Sequence, residues 1–269
     1  MEFSIEVALP SGKKIRVKEL KNSEYLSIIK FTENRDFKGL NDFFEALYIS
    51  PDLNIIDRIY LLLYIRMTFI EPDINITVDN KSISISVASM LDKIESSYVD
   101  LETTIEVNGI VVTLDLPCIS YYETVDDLLI ATIKHIQIGN ESIDYNELDD
   151  EVREEVLSNL PAALFGRVTG FIQTIQDNIL NCELIEENKS LGIDGVTISL
   201  MSGNMLEFIS SMYRTDLQGF YNLIYSFQNT IMPGSNLFLD MSPIESRIIL
   251  KAHQKRMKEE NDQLKKQQQ

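Results

Sequence analysis

VDLETTIEVNGIVVTLDLP, residues 99–117, decides what kind of sheet this chain can build. Val99, Leu101, Ile105 and Val107 lead up to Asn108–Gly109, and Ile110, Val112, Leu114 and Leu116 lead away from it. Both central residues of a two-residue type I′ turn need positive φ, and Asn-Gly tolerates this best. The stretch therefore predicts two antiparallel strands joined directly. Nothing in the 269 residues repeats strand–helix–strand at the spacing of a doubly wound sheet. The fold class expected is α+β: helical layers packed with several antiparallel β-hairpins, ending in a long C-terminal helix.

Further hairpins follow the same logic on either side. INITVDNKSISISV (74–87) places Ile74, Ile76, Val78, Ile83, Ile85 and Val87 on one apolar face, with Asp79–Asn80 suited to the turn. At the start, Phe3, Ile5, Val7 and Leu9 alternate, PSGK turns, and Ile15 and Val17 alternate back. CELIE (182–186) and GVTISL (195–200) make a fourth pair.

Helices fill the intervals. One is expected over 22–34, and a second carries Leu40, Phe43, Phe44 and Leu47 at i, i+3, i+4, i+7. A third, IIDRIYLLLYIRMTFI (55–70), is apolar nearly all round and so belongs at the centre of a helical layer; Asn54 is its N-cap and Asp57 sits in its first turn. Thr124 caps a helix whose stripe runs Val125, Leu128, Leu129, Ile133 and Ile136. Residues 141–155, with eight acids and one arginine, lead into a helix bearing Leu148, Val152, Val156 and Leu160. Pro161 opens the next, with Leu164, Val168, Phe171, Ile172, Ile175 and Ile179 as its stripe. Ala163, Gly166 and Gly170 give that helix a small-residue side where another backbone has room to approach. Two short helices, at about 203–212 and 215–228, precede the loop MPGSNLFLD. The last helix starts at Ser242-Pro243-x-Glu245, a capping box with proline in first position, and carries Ile244, Ile248, Ile249 and Ala252 as an apolar base. Three parts are expected: 1–96, a hairpin with helices; 97–240, hairpins and helices; and 241–269, a basic helical tail.

Charge is divided between these parts. The chain carries net −18, yet residues 242–269 hold seven basic and four acidic side chains, net +3, which leaves −21 on the rest. So acidic a body repels nucleic acid and anionic lipid. The longest charge-free apolar run is IYLLLYI (59–65), far short of the ~20 residues a membrane helix needs. MEFSIEVALPSGKK lacks the basic start and continuous apolar block of a secretory signal. Two cysteines, Cys118 and Cys182, form no CxxC pair, in keeping with a reducing compartment. Cys118, after Pro117 at a strand end, reads as a small buried apolar group.

Catalytic patterns are missing. There is no GxxxxGK, HExxH, GxSxG or GxGxxG. His135 ends a helix stripe and His253 lies in the basic tail. Asp126–Asp127 and Asp149–Asp150–Glu151 are sequence neighbours, which point to different sides of a helix and do not share a proton. No catalytic, cofactor-binding or metal-ligating residue is expected. The distant alternative, a carboxylate- or metal-dependent hydrolase, would require Asp126, Asp127 or the 147–155 cluster to line a cleft with His135.

What remains is surface. Arg66 is a charge inside an apolar helix, so it either pairs with an acid at the edge of the core or anchors a partner protein. The tail has three readings. It is a solvated helix without further role; or a nucleic-acid arm, poorly suited because Glu259, Glu260 and Asp262 dilute it and no aromatic offers stacking; or a docking helix for an acidic partner. The docking reading makes Arg66, Ile248, Lys251, Lys255, Arg256 and Lys258 the candidate partner-binding residues. The oligomeric state is left open.

Several of these stretches carry a family resemblance. VALPSGKKIRVKELKNSEYLSIIKF (7–31) is similar to the start of phage tail-assembly proteins, a hairpin followed by VxEL and a helix. DFFEALYISPDLNIIDRIYLLLYIRMTF (42–69) resembles the T4-type phage baseplate protein family, through Asp57, Arg58, Tyr60, Leu61, Leu63, Ile65 and Arg66. DMSPIESRIIL (240–250) looks like that family's closing helix start, at Met241, Pro243 and Glu245. The resemblance implies a role in building the baseplate hub, either as an assembly factor or as a hub subunit. Its partners would be other tail, hub or tape-measure proteins, met in the host cytoplasm during assembly or within the tail of the particle. It brings no catalytic residues and no cofactor.

Overall fold

The computed structural model describes residues 3–78, 81–98, 103–119, 122, 124–139, 141–175, 177, 181–183, 197–199, 210, 212–213, 215–234 and 237–267. Among these, every strand pairing is antiparallel and joins strands consecutive in the chain, and helices supply most of the rest, so the fold is α+β. The decisive hairpin is β5 (Thr103–Val107) with β6 (Ile110–Leu114), in the register Val107↔Ile110 and Ile105↔Val112. Asn108 and Gly109 have φ of 55° and 79°, as a type I′ turn requires. Residues 99–102 lie outside the described residues.

Three more hairpins form where alternation placed them: β1 (Ser4–Ala8) with β2 (Lys14–Lys18), β3 (Asp73–Val78) with β4 (Lys81–Ser86), and β9 (Asn181–Glu183) with β10 (Thr197–Ser199). The first three helices are α1 (Asn22–Asn34), α2 (Phe37–Leu47) and α3 (Ile55–Phe69). Glu24 closes the start of α1, accepting from the Lys21 N–H, the Lys18 ammonium and the Tyr48 hydroxyl. Burial pushes its carboxyl up, but these three donors outweigh burial and hold it below the usual value. Asn54 caps α3 by accepting from Asp57 N at 2.9 Å. Twelve of the fifteen α3 residues are buried, which makes it the central helix that its all-round apolar sequence required.

Two elements differ from the sequence reading. Val87, read as the end of a strand, instead begins α4 (Val87–Ser97), which Ser86 caps through Ser89 N. Its buried stripe Val87, Met90, Leu91 and Ile94 has plain helical spacing, and it packs on α3. The second difference follows Thr124. Its helix α5 (Val125–Ala131) is capped reciprocally by Thr124 and Asp127 but stops after seven residues. Ile133–Ile138 is strand β7, which places His135 in a sheet and not at a helix end. A helix this short is marginal, whereas β7 gains ladders on both sides, from β6 and from β8 (Glu141–Asp144). Thr113 pairs with His135 and Leu114 with Ile133, so Lys134 is an extra residue. That bulge turns both Ile133 and Ile136 into the core, three residues apart, and so imitates helical spacing.

The acidic segment continues as a 3₁₀ turn (Tyr145–Glu147), α6 (Asp150–Asn159) and α7 (Ala162–Ile175). Leu164, Val168, Phe171, Ile172 and Ile175 are buried as their spacing required; Ile179 lies outside the described residues. Among the described residues, a Cβ at Gly166 or Gly170 would meet nothing within 4 Å, so none of their backbone approaches the small-residue side of this helix. Most of the helix read at 203–212 also lies outside the described residues. α8 (Leu217–Ser226) runs into a π turn (Phe227–Ile231), and the following loop tightens into a 3₁₀ turn at Leu237–Asp240. Phe238 packs there against Phe220 and Phe227. The buried core draws on both halves of the chain, from Val7 to Phe238. The chain ends in α9 (Pro243–Gln267).

Candidate partner-binding surface

The residues that carry the family resemblance sit on α3, and most of their polar groups face inward. Asp57 is fully buried and accepts from Ser11 N (3.1 Å) and Ser11 Oγ (2.6 Å), so it holds the turn of the first hairpin. Arg58, equally buried, donates from Nε to the Leu53 carbonyl (2.6 Å), from Nη2 to the Pro51 carbonyl (3.1 Å) and from Nη1 to Glu45 Oε1 (2.7 Å). It ties α2 and the 51–53 loop to the start of α3.

Arg66 does the same two turns further on. Its Nε donates to the Met212 carbonyl (2.8 Å), Nη2 to the Asp73 carbonyl (2.9 Å) and Nη1 to the Glu71 carbonyl. Its fork is thus taken up by backbone oxygens. The neighbouring acid, Glu71, turns its carboxylate to Arg247 Nη1 at 3.0 Å and so fastens α9 to the same loop. Tyr213 lies beneath, its hydroxyl donating to the Leu62 carbonyl, while Tyr25 donates to the Tyr213 carbonyl at 3.4 Å. Burial pushes the Tyr25 hydroxyl up to about 12 and that of Tyr213 further.

The base of α9 is built as its capping box required. Ser242 N donates to Glu245 Oε2 (3.1 Å) and Glu245 N to Ser242 Oγ (3.4 Å), and Asn22 N donates to the Met241 carbonyl at 2.7 Å. The apolar base needs correcting. Pro243 and Ser246 are buried, and Arg247, Ile249 and Leu250 are half-buried, but Ile248 is 62% exposed and Ala252 is exposed. The helix is therefore held by its first turn and by the Arg247–Glu71 pair, and Ile248 faces outward. Beside it lies a shallow cleft of ≈ 300 Å³ lined by Met241, Glu245, Ile248 and Ile249. Lys251, Lys255, Arg256 and Lys258 are exposed, with Arg256 pairing to Glu260 at 2.7 Å.

Cys118 corrects a further expectation, being exposed and not buried. His135 Nδ1 lies 3.8 Å from Asp144 Oδ2, across the β7–β8 pair. Asp127 serves its cap and Asp149 and Glu151 are exposed. Among the described residues no group of three or more His, Cys, Asp or Glu is arranged to hold a metal, and no helix is long and apolar enough to cross a membrane.

An N-terminal hairpin held by a buried Asp57, a central helix stapled by two buried arginines and a train of antiparallel hairpins define a class of protein by architecture. Its family follows from comparison. A family model described as T4 bacteriophage base plate protein matches residues 1–199, and the chain belongs to that family. It is thus a phage baseplate protein. No curated protein and no solved structure matches it. The matched region contains the stretches 7–31 and 42–69 and extends through all five hairpins of the described residues. It ends before α9, so the likeness at Met241, Pro243 and Glu245 falls outside it.

Proposed function

We propose that this baseplate protein is a non-enzymatic assembly factor of the baseplate hub, one that holds another tail protein through α9. One observation carries the reading: a body of net −21 ends in a helix of net +3 whose outer turns, from 254 to 265, are exposed. Charge set against charge in this way steers association and fixes register, while the acidic body resists association with itself. Partner recognition then falls to Ile248, Lys251, Lys255, Arg256 and Lys258, with Arg66 acting beneath them by holding the loop on which Arg247 rests. The partner is a hub or tape-measure protein, met in the host cytoplasm.

Pull-downs from infected cells test this, with three forms of the chain: intact, cut after Ala252, and cut before Ser242. Loss of one specific tail protein on the cut after Ala252 is the expected result. Recovery of every partner by that form would remove the docking role. Mass spectrometry of purified particles addresses the other half of the proposal, since a stoichiometric copy number in the virion would make the chain a hub subunit and not a transient factor.

A further inference from the structure

Past its base, α9 carries one apolar stripe. Leu250, Met257 and Leu264 follow each other at seven-residue intervals. Seven residues fall only ~20° short of two full turns, so the three lie along one slowly drifting line. Leu250 is half-buried against the body, whereas Met257 and Leu264 are 43% and 55% exposed. The stripe thus begins in the core and continues bare. Lys251, Lys258 and Lys265 each follow one residue later and form a parallel exposed row about 100° around the helix. Among the described residues none of these three lysines has an ion pair, while Arg256 is tied to Glu260 at 2.7 Å. Gln254 and Asn261, between the stripe and the lysine row, are uncharged and can be covered.

Resting on the docking reading above, we propose that the outer turns of α9 are one half of a two-helix junction whose other half is an acidic amphipathic helix on another tail protein. An apolar residue every second turn matches the spacing at which a facing helix offers its holes. The lysine row asks for carboxylates along one flank of that helix. A second copy of this chain fits poorly, because it brings two bodies of net −21 together.

The test uses the full chain and a labelled synthetic peptide of four heptads, with Leu at both core positions and Glu on the flanks, where repulsion keeps it from pairing with itself. Binding is followed by fluorescence anisotropy. The wild-type chain is expected to bind the peptide, and to ignore both a sequence-scrambled peptide and one with Lys in place of Glu. The double variant M257Q/L264Q and the triple variant K251E/K258E/K265E are each expected to lose at least about tenfold in affinity, since two half-covered apolar side chains or three flanking charges account for that much. The triple variant should also flatten the salt dependence. All these positions are exposed, so both variants should melt as wild type does.

Equal binding of the scrambled peptide, preferential binding of a DNA duplex, or sedimentation showing a homodimer abolished by M257Q/L264Q would each overturn the proposal. So would absence of peptide binding. In that last case, a pull-down in which the cut after Ala252 still loses its tail partner would leave the docking role standing and remove only the helix pair.

Discussion

Helices α3 and α9 use the same kinds of side chain to opposite ends. Arg58 and Arg66 are surrounded by apolar neighbours, and each spends its fork on fixed groups nearby: five backbone carbonyls and the Glu45 carboxylate. Lys251, Lys255 and Lys258 stand on a helix with little to bury, and all are exposed. In a helix that is apolar all round, a charge stays only if the fold supplies partners for it, and it then joins segments distant in sequence. In a helix whose outer turns are mostly polar and exposed, a charge serves whatever arrives from outside. The family signature on α3 is therefore an architectural one, and the surface that meets a partner is sought elsewhere.

Replacing Arg66 with methionine is the sharpest way to break this contrast. It keeps the apolar stem but leaves the carbonyls of Glu71, Asp73 and Met212 without their donor. The expected loss is about 3 kcal/mol or more, read as a lower urea midpoint with an unchanged slope. Lys255→Met, the same chemical change on α9, is expected to stay within about 0.5 kcal/mol. If the two variants proved equally mild, the staple account of α3 would fail. Arg66→Lys should fall between the wild type and Arg66→Met, because one ammonium cannot span three carbonyls set out for a planar fork.

Tyr213 sharpens the buried side of the comparison through pH. Its hydroxyl, like that of Tyr25, ionises at a higher pH in the folded chain than in the unfolded one, where the ordinary value is about 10. The contribution is thus complete below about 10 and is lost as pH rises beyond it, through about 12 for Tyr25. Tyr213→Phe is expected to cost about 1–2 kcal/mol at neutral pH, since the Leu62 carbonyl loses its donor, and to make the alkaline decline shallower. Urea melts between neutral pH and 11 read both effects.

How much of this was legible beforehand depends on how local each cause is. The Asn108–Gly109 turn, the Asn54 and Ser242 caps and the burial of α3 rest on neighbours in sequence, and they read directly. β7 did not, because its strand state comes from ladders to β6 and β8 and from the bulge at Lys134, which mimics a helical interval. The partners of Arg66 were out of reach for the same reason: the Met212 carbonyl is 146 residues away and carries no side-chain signal. On the surface, the interval Leu250–Met257–Leu264 stood in the sequence throughout. It goes unnoticed because Arg247, Gln254 and Asn261 occupy the alternate positions where a coiled coil would be apolar.

The capping box at the foot of α9 falls between the two extremes, and Ser242→Ala is expected to cost about 1 kcal/mol. The smallest effect belongs to removal of the outer turns. The residues from 253 to 265 that a cut after Ala252 deletes are exposed apart from half-buried His253, so global stability should change by no more than about 0.5 kcal/mol. The same reasoning predicts hydrogen exchange. Amides of 255–267 are held by helical bonds open to water and by little packing, and are expected to exchange by local fraying. Those of 56–66 should open only with the whole molecule. A partner that lies along the Leu250–Leu264 stripe would slow exchange in 255–267 and leave 56–66 unchanged. Protection appearing in both regions would mean that the partner stabilises the body as a whole, and the separation of duties between the two helices would then be wrong.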